Sequence, residues 1–214
     1  MSTSVRIRRV FCRVLYFVLA LAVAAHAVGY LFQWPNPYNR FAINFAALQH
    51  IGVPGHFFYG ALALVLTPVQ ISGAVRRRWP RVHRLTGLVY LMAVAIAGVC
   101  ALRLAPTALH GTVTRIGFLI LGSLWLLVTA YAWQRILVRD FEGHARWMYR
   151  SIALTSSAIT LRIMLGLGVP LAGLPMSTVY PVAAWGCWLI NLALCEWLLR
   201  RPSGRRSVSF PHSA

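Results

Sequence analysis

The sequence predicts an all-α integral membrane bundle of six transmembrane helices, with the N-terminus and the C-terminus both cytoplasmic. Three observations lead there. Of 214 residues, 59% are hydrophobic and 11% charged, and mean hydropathy is +0.67, whereas soluble domains carry roughly a quarter charged residues. Six windows approach the ~20 apolar residues that cross a bilayer. The arginines cluster between alternate windows.

The windows are 11–32, 56–75, 85–105, 113–134, 148–169 and 178–199. Turn chemistry separates them: Trp34-Pro35-Asn36-Pro37, Val53-Pro54-Gly55, Trp79-Pro80, Ala105-Pro106, and Val169-Pro170 through Leu174-Pro175. The first segment resembles a signal peptide at Ala25-His26-Ala27. Its apolar run continues from Val28 to Phe32, which favours an uncleaved anchor. Phe41–Gln49 reads as a short helix at the outer membrane surface. Trp34, Trp79, Trp147 and Trp197, near span ends, fit interfacial belts.

Orientation follows from the basic residues. Arg6, Arg8, Arg9 and Arg13 precede the first span, and Arg76, Arg77, Arg78, Arg81 and Arg84 separate the second from the third. Arg135, Arg139, Arg146 and Arg150 separate the fourth from the fifth, and Arg200, Arg201, Arg205 and Arg206 follow the sixth. The alternate connections carry Arg40, with Arg103 and Arg115 at their edges. Positive residues favour the cytoplasm, so both ends lie inside. The expected location is the bacterial inner membrane. Residues 1–199 form one transmembrane domain, and 200–214 a disordered basic cytoplasmic tail.

The net charge of +18 does not point to nucleic acid. The arginines sit between apolar runs, where they suit topology and anionic lipid headgroups, and no nucleic-acid-binding motif accompanies them. Cys12, Cys100, Cys187 and Cys195 have neither CxxC nor zinc spacing, and read as buried thiols. There is no HExxH, GxSxG or P-loop.

Two helices carry polar stripes. In the second, His56, Gly60, Ala63, Thr67, Gln70 and Ala74 share a face. In the fifth, His144, Met148, Ser151, Thr155, Ala158, Arg162 and Gly166 do the same. Such stripes are packing seams, and they also line polar cavities. Arg162 lies about 18 Å along the helix from Arg150, in the outer half of the bilayer. An arginine there marks a site or snorkels to the surface. The only acids are Asp140, Glu142 and Glu196, all toward the cytoplasmic side. Arg162 and Arg103 therefore lack an in-chain carboxylate, and carbonyls or an external anion must compensate them. Glu196 is expected to pair with Arg200 at i+4.

Of the histidines, His83 and His144 fall at inner helix ends, while His50, His56 and His110 lie outside and His26 within the first span. Histidines on facing helices are what transmembrane b-type haem proteins use, with arginines for the propionates. Interfacial histidines that hydrogen-bond loops have the same placement.

One set of residues resembles a known family. It comprises His56-x3-Gly60, Pro68-x-Gln70, Arg77-x2-Pro80-x2-His83-Arg84-x2-Gly87-x2-Tyr90, Trp125, His144-x2-Trp147-Met148-x-Arg150-Ser151, Thr160-Leu161-Arg162, Asn191 and Glu196. It is similar to the bacterial domain-of-unknown-function 2306 membrane proteins, from about residue 50 to 199. The resemblance implies a helical membrane bundle and no particular reaction. His50 and His110 fall outside the pattern.

The functional expectation is a small redox-type protein binding b-type haem or a quinone between helices two, three and five. His83 and His144 would be iron ligands or proton partners. His56, Gln70, Arg84, Arg150 and Arg162 would complete the site. The alternatives are a non-enzymatic protein that binds or moves a small anion or lipid, with Arg162 as the contact, and a structural subunit. The expected partners are the bilayer and a small anionic or quinone-like ligand.

Overall fold

A computed structural model describes residues 3–32, 52–168, 170–171 and 173–201. The segment 41–49, His50 and the tail from residue 202 lie outside the described residues. Among those described, every regular element is helical: α1 Thr3–Phe32, α2 Val53–Ile71, α3 Gly73–Arg78, α4 Pro80–Leu104, a 3₁₀ turn Ala105–Thr107, α5 Thr112–Leu137, α6 Phe141–Thr155, α7 Ser157–Gly168 and α8 Met176–Arg200.

The boundaries follow local chemistry. Gly52 enters α2 at φ 153°, and a side chain there would crowd Cys100. Pro54 sits in the first turn of α2, where its missing N–H is harmless. Ser72 caps α3 by accepting from Val75 N at 3.3 Å. Pro80 opens α4. Asp140 caps α6, accepting from Gly143 N at 2.8 Å, with Glu142 in the first turn against the positive helix end. Ser156 interrupts the fifth apolar segment and divides it into α6 and α7.

Five stretches are long and apolar enough to cross a membrane: Val10–Phe32, Pro80–Thr107, Thr112–Leu137, Phe141–Gly168 and Met176–Arg200. The expected second span, α2, is not among them. Its 19 residues include His56, Gln70 and an internal Pro68, which lower its hydropathy. It is nonetheless central, packed lengthwise between α1 and α4. Several helices begin ahead of their apolar windows, α1 at Thr3, α4 at Pro80 and α6 at Phe141, because arginines and capping residues extend them, whereas α2 stops at Ile71, short of its window.

α5 pairs with α6, and α7 with α8, while α8 also closes against α5 and α6. The core is built from Ala63, Tyr90, Ala93, Val94, Ala97, Trp125, Ala132, Ile152 and Cys187. Small residues let the backbones approach closely, as membrane bundles require. Large apolar side chains such as Leu85, Val99, Leu127, Val182, Ile190 and Leu194 are exposed. That pattern suits lipid contact rather than water. All four cysteines are free thiols.

Candidate functional site

The up-and-down packing gathers Arg76, Arg77, Arg78, Arg81 and Arg84 with Arg139, Arg146, Arg200 and Arg201 at one end of the bundle, all exposed. This arginine-rich end holds five of the seven residues singled out in the sequence. Gln70 Nε2 donates to Thr86 Oγ1 at 2.8 Å and to the His83 carbonyl at 3.3 Å, tying α2 to α4. Gly87 leaves room for that amide, 3.2 Å from where a side chain would begin. His144 Nδ1 lies 2.8 Å from the Ala132 carbonyl and donates to it, which fixes the ring. His83 is within electrostatic reach of His144, and its Nδ1 is buried with no hydrogen-bond partner. Arg84 is exposed, with Nε toward the Pro80 carbonyl at 3.4 Å.

Arg150 is already neutralised. Its Nε and Nη2 donate to the two oxygens of Glu196 at 2.5 and 3.0 Å, and its guanidinium lies 4.5 Å from the Trp147 ring. The expected partner of Glu196 was Arg200. The structure corrects this, because the planar fork of Arg150 meets both carboxylate oxygens across α6 and α8, whereas Arg200 is exposed.

Mid-bundle, hydroxyls form a chain. Thr155 Oγ1 lies 2.7 Å from Tyr90 OH, which lies 2.8 Å from Ser151 Oγ, which lies 2.6 Å from Thr129 Oγ1. Backbone carbonyls close both ends: Thr155 reaches Ser151 O at 3.0 Å, and Thr129 reaches Trp125 O at 2.7 Å. Trp125 Nε1 donates to Thr155 at 2.9 Å. A second cluster joins the Tyr16 hydroxyl to Thr67 and Ser156 at 2.8 and 2.7 Å.

Beyond this chain, toward the end opposite the arginines, lies a chamber of about 430 Å³. Its walls come from α1, α2, α4, α5, α7 and α8, and Trp125 of α5 with Leu154 and Thr155 of α6 form its floor. The lining is largely apolar. Its polar groups include His26, His56, Arg162 and Tyr180. His56 Nδ1 sits 3.1 Å from the Ala97 carbonyl, which fixes the ring. Arg162 lies within electrostatic reach of both His56 and Tyr180. Arg162 Nη1 donates to the Ala158 carbonyl at 3.0 Å. The ion pairs among the described residues are Arg135–Asp140 and Arg150–Glu196, so no carboxylate balances Arg162.

The seven residues thus divide into two groups. His56 contacts α4 at Ala97 and Gln70 contacts it at His83, fourteen residues apart, about 21 Å along the helix. His83, His144, Gln70, Arg84 and Arg150 stand at the arginine-rich end, and His56 and Arg162 line the chamber. Among the described residues no three His, Cys, Asp or Glu side chains converge to hold a metal. Tyr180, Thr129 and Tyr16 carried no sequence signal, since each is an ordinary interfacial or helical residue until the partner helix is known.

Residues 53–199 match the family described as predicted membrane protein (DUF2306). The chain belongs to that family. No curated protein and no solved structure matches it. The DUF2306 segment contains both groups of residues and all of α2 to α7, with α8 to within one residue of its end. α1 precedes it. The chamber in this DUF2306 protein is therefore walled mostly by family elements, with one side supplied by α1.

Proposed function

We propose that this DUF2306 protein crosses the bacterial inner membrane six times, with its arginine-rich end in the cytoplasm, and binds an amphipathic anion in the chamber at the other end. At 19 residues α2 is about 28 Å long, enough for a bilayer core of ~30 Å. Residues 1–199 form one domain, and 200–214 a cytoplasmic tail. The observation that carries the binding reading is Arg162, half-buried on an apolar wall without a carboxylate. A buried cation needs a counter-charge, and an anionic head supplies one while an apolar body fills the rest. The volume is within the ~300–1,000 Å³ of small-molecule sites. Thermal stabilisation of the detergent-purified protein by decanoate tests this. A rise in melting temperature that disappears in Arg162→Ala supports the reading, and no rise in the native protein overturns it.

His83 favours a second reading at the arginine-rich end. Its buried Nδ1 lacks a partner, and His144 beside it uses Nδ1 on the Ala132 carbonyl, leaving Nε2 for a ligand. A b-type haem or a quinone would use these nitrogens as iron ligands or proton partners. With Arg150 held by Glu196, Arg84 and its neighbours would serve the anionic groups. A reduced-minus-oxidised absorption spectrum with a haemochrome assay decides the haem form. A b-type signal lost in His83→Ala and His144→Ala supports it, and a colourless protein from haem-replete cells removes it.

A further inference from the structure

We infer that the chamber is loaded sideways from the bilayer, through the seam between α1 and α7, by a single-chain lipid with an anionic head. This rests on the anion-binding reading and names the ligand class and its route. Near the middle of the bundle Ala20 and Val23 of α1 gather with Leu64 of α2 and with Ile159 and Ala158 of α7, and Tyr16 bonds Ser156 just ahead of α7. Further along, the buried residues Ala24 and Ala27 of α1 pack on Ala61 and Val65 of α2. In the half that contains the chamber, the buried face of α1 thus packs on α2.

His26 lies on the chamber wall in that half and is also exposed at the surface of the bundle. A ring that belongs to both surfaces is where we place the opening. Arg162 and Leu165 of α7 also line the chamber. A polar ring facing lipid is unfavourable on an ordinary spanning helix. At an opening it meets the passing headgroup, and Arg162 then receives it. The rest of the lining is mostly apolar, as a hydrocarbon chain requires. A water-soluble anion would gain nothing from that lining, nor would it have a reason to pass between two apolar helices.

The test uses the full chain in phosphatidylcholine vesicles, with a palmitate analogue carrying a diazirine in its chain. On illumination, label should concentrate on peptides spanning residues 24–30 and 158–165. It should fall at least tenfold in Arg162→Ala and in excess palmitate, while an equal concentration of hexanoate leaves it unchanged. A second variant, Arg162→Gln, guards against misfolding by keeping the side chain's bulk. If hexanoate competes as well as palmitate, the chamber binds anions but the lipid route fails. If label spreads evenly over the lipid-facing helices in native and variant protein alike, both the route and the underlying reading fail.

Discussion

Arg150 and Glu196 lock the second half of α6 to the end of α8 through two parallel hydrogen bonds of 2.5 and 3.0 Å. The side chains retain 17% and 34% exposure, so the pair is half-buried rather than dry. Glu196→Gln is expected to destabilise the protein by about 1–2 kcal/mol, below the ~3–5 kcal/mol of fully buried pairs. Unfolding of the purified protein in mixed micelles measures it. The Arg150→Gln variant should lose a similar amount, and the double variant less than the sum. Strict additivity would show that the two groups do not stabilise each other.

Tyr90 is the middle of the hydroxyl chain. Four hydroxyl protons serve five contacts, counted from the Ser151 carbonyl through Thr155, Tyr90, Ser151 and Thr129 to the Trp125 carbonyl. One contact is always unmade, and the chain can point either way. Tyr90→Phe removes one proton and one bond while leaving every remaining proton an acceptor. It should therefore cost only about 1 kcal/mol. A loss several times larger in the same unfolding assay would mean that Tyr90 has a role beyond this chain.

Gly60 and Gly117 should respond oppositely to a side chain. A Cβ on Gly60 meets nothing within 4 Å, because it points into the chamber, whereas one on Gly117 lies 2.9 Å from the Trp185 ring nitrogen. That nitrogen donates to the Val113 carbonyl at 3.0 Å. Gly117→Ala is expected to lower stability by about 1–3 kcal/mol through overpacking. Gly60→Leu should fold at least as well as the native chain, since helical glycine is itself unfavourable by ~1 kcal/mol. It should also abolish stabilisation by decanoate. Retained ligand response in Gly60→Leu would place the anion elsewhere.

Single cysteines at positions 77 and 171 should react from opposite sides of the membrane. Arg77 belongs to the arginine-rich end and Leu171 to the connection between α7 and α8, and both are exposed. In inside-out vesicles of a variant lacking the native thiols, an impermeant maleimide should label position 77 and spare 171. Labelling of both from one face would overturn the six-span topology.

The helical class and five of the spans were legible because hydropathy acts along the chain, and the family because its motif residues are read directly from the sequence. The stripes of α2 and of α6 with α7 were legible too, since helical periodicity fixes which residues share a face. Periodicity is silent about which faces meet. It therefore put Glu196 with Arg200 one turn away, while the carboxylate reaches a fork on another helix. The family pattern pooled His56 and Arg162 with His83 and His144, although arginine clustering already put the first pair toward the outer side and the second at inner helix ends. Distance along a helix was available from the numbering, but the chamber that divides the two groups is a property of six walls together.

The first helix has a consequence for diversification. It closes one side of the chamber through small residues, Ala24 and Ala27, and lies ahead of the segment that defines the family. A substitution there would resize the opening without disturbing the Arg150–Glu196 lock, the hydroxyl chain or Arg162. Selectivity can drift on that one wall while the machinery behind it stays fixed.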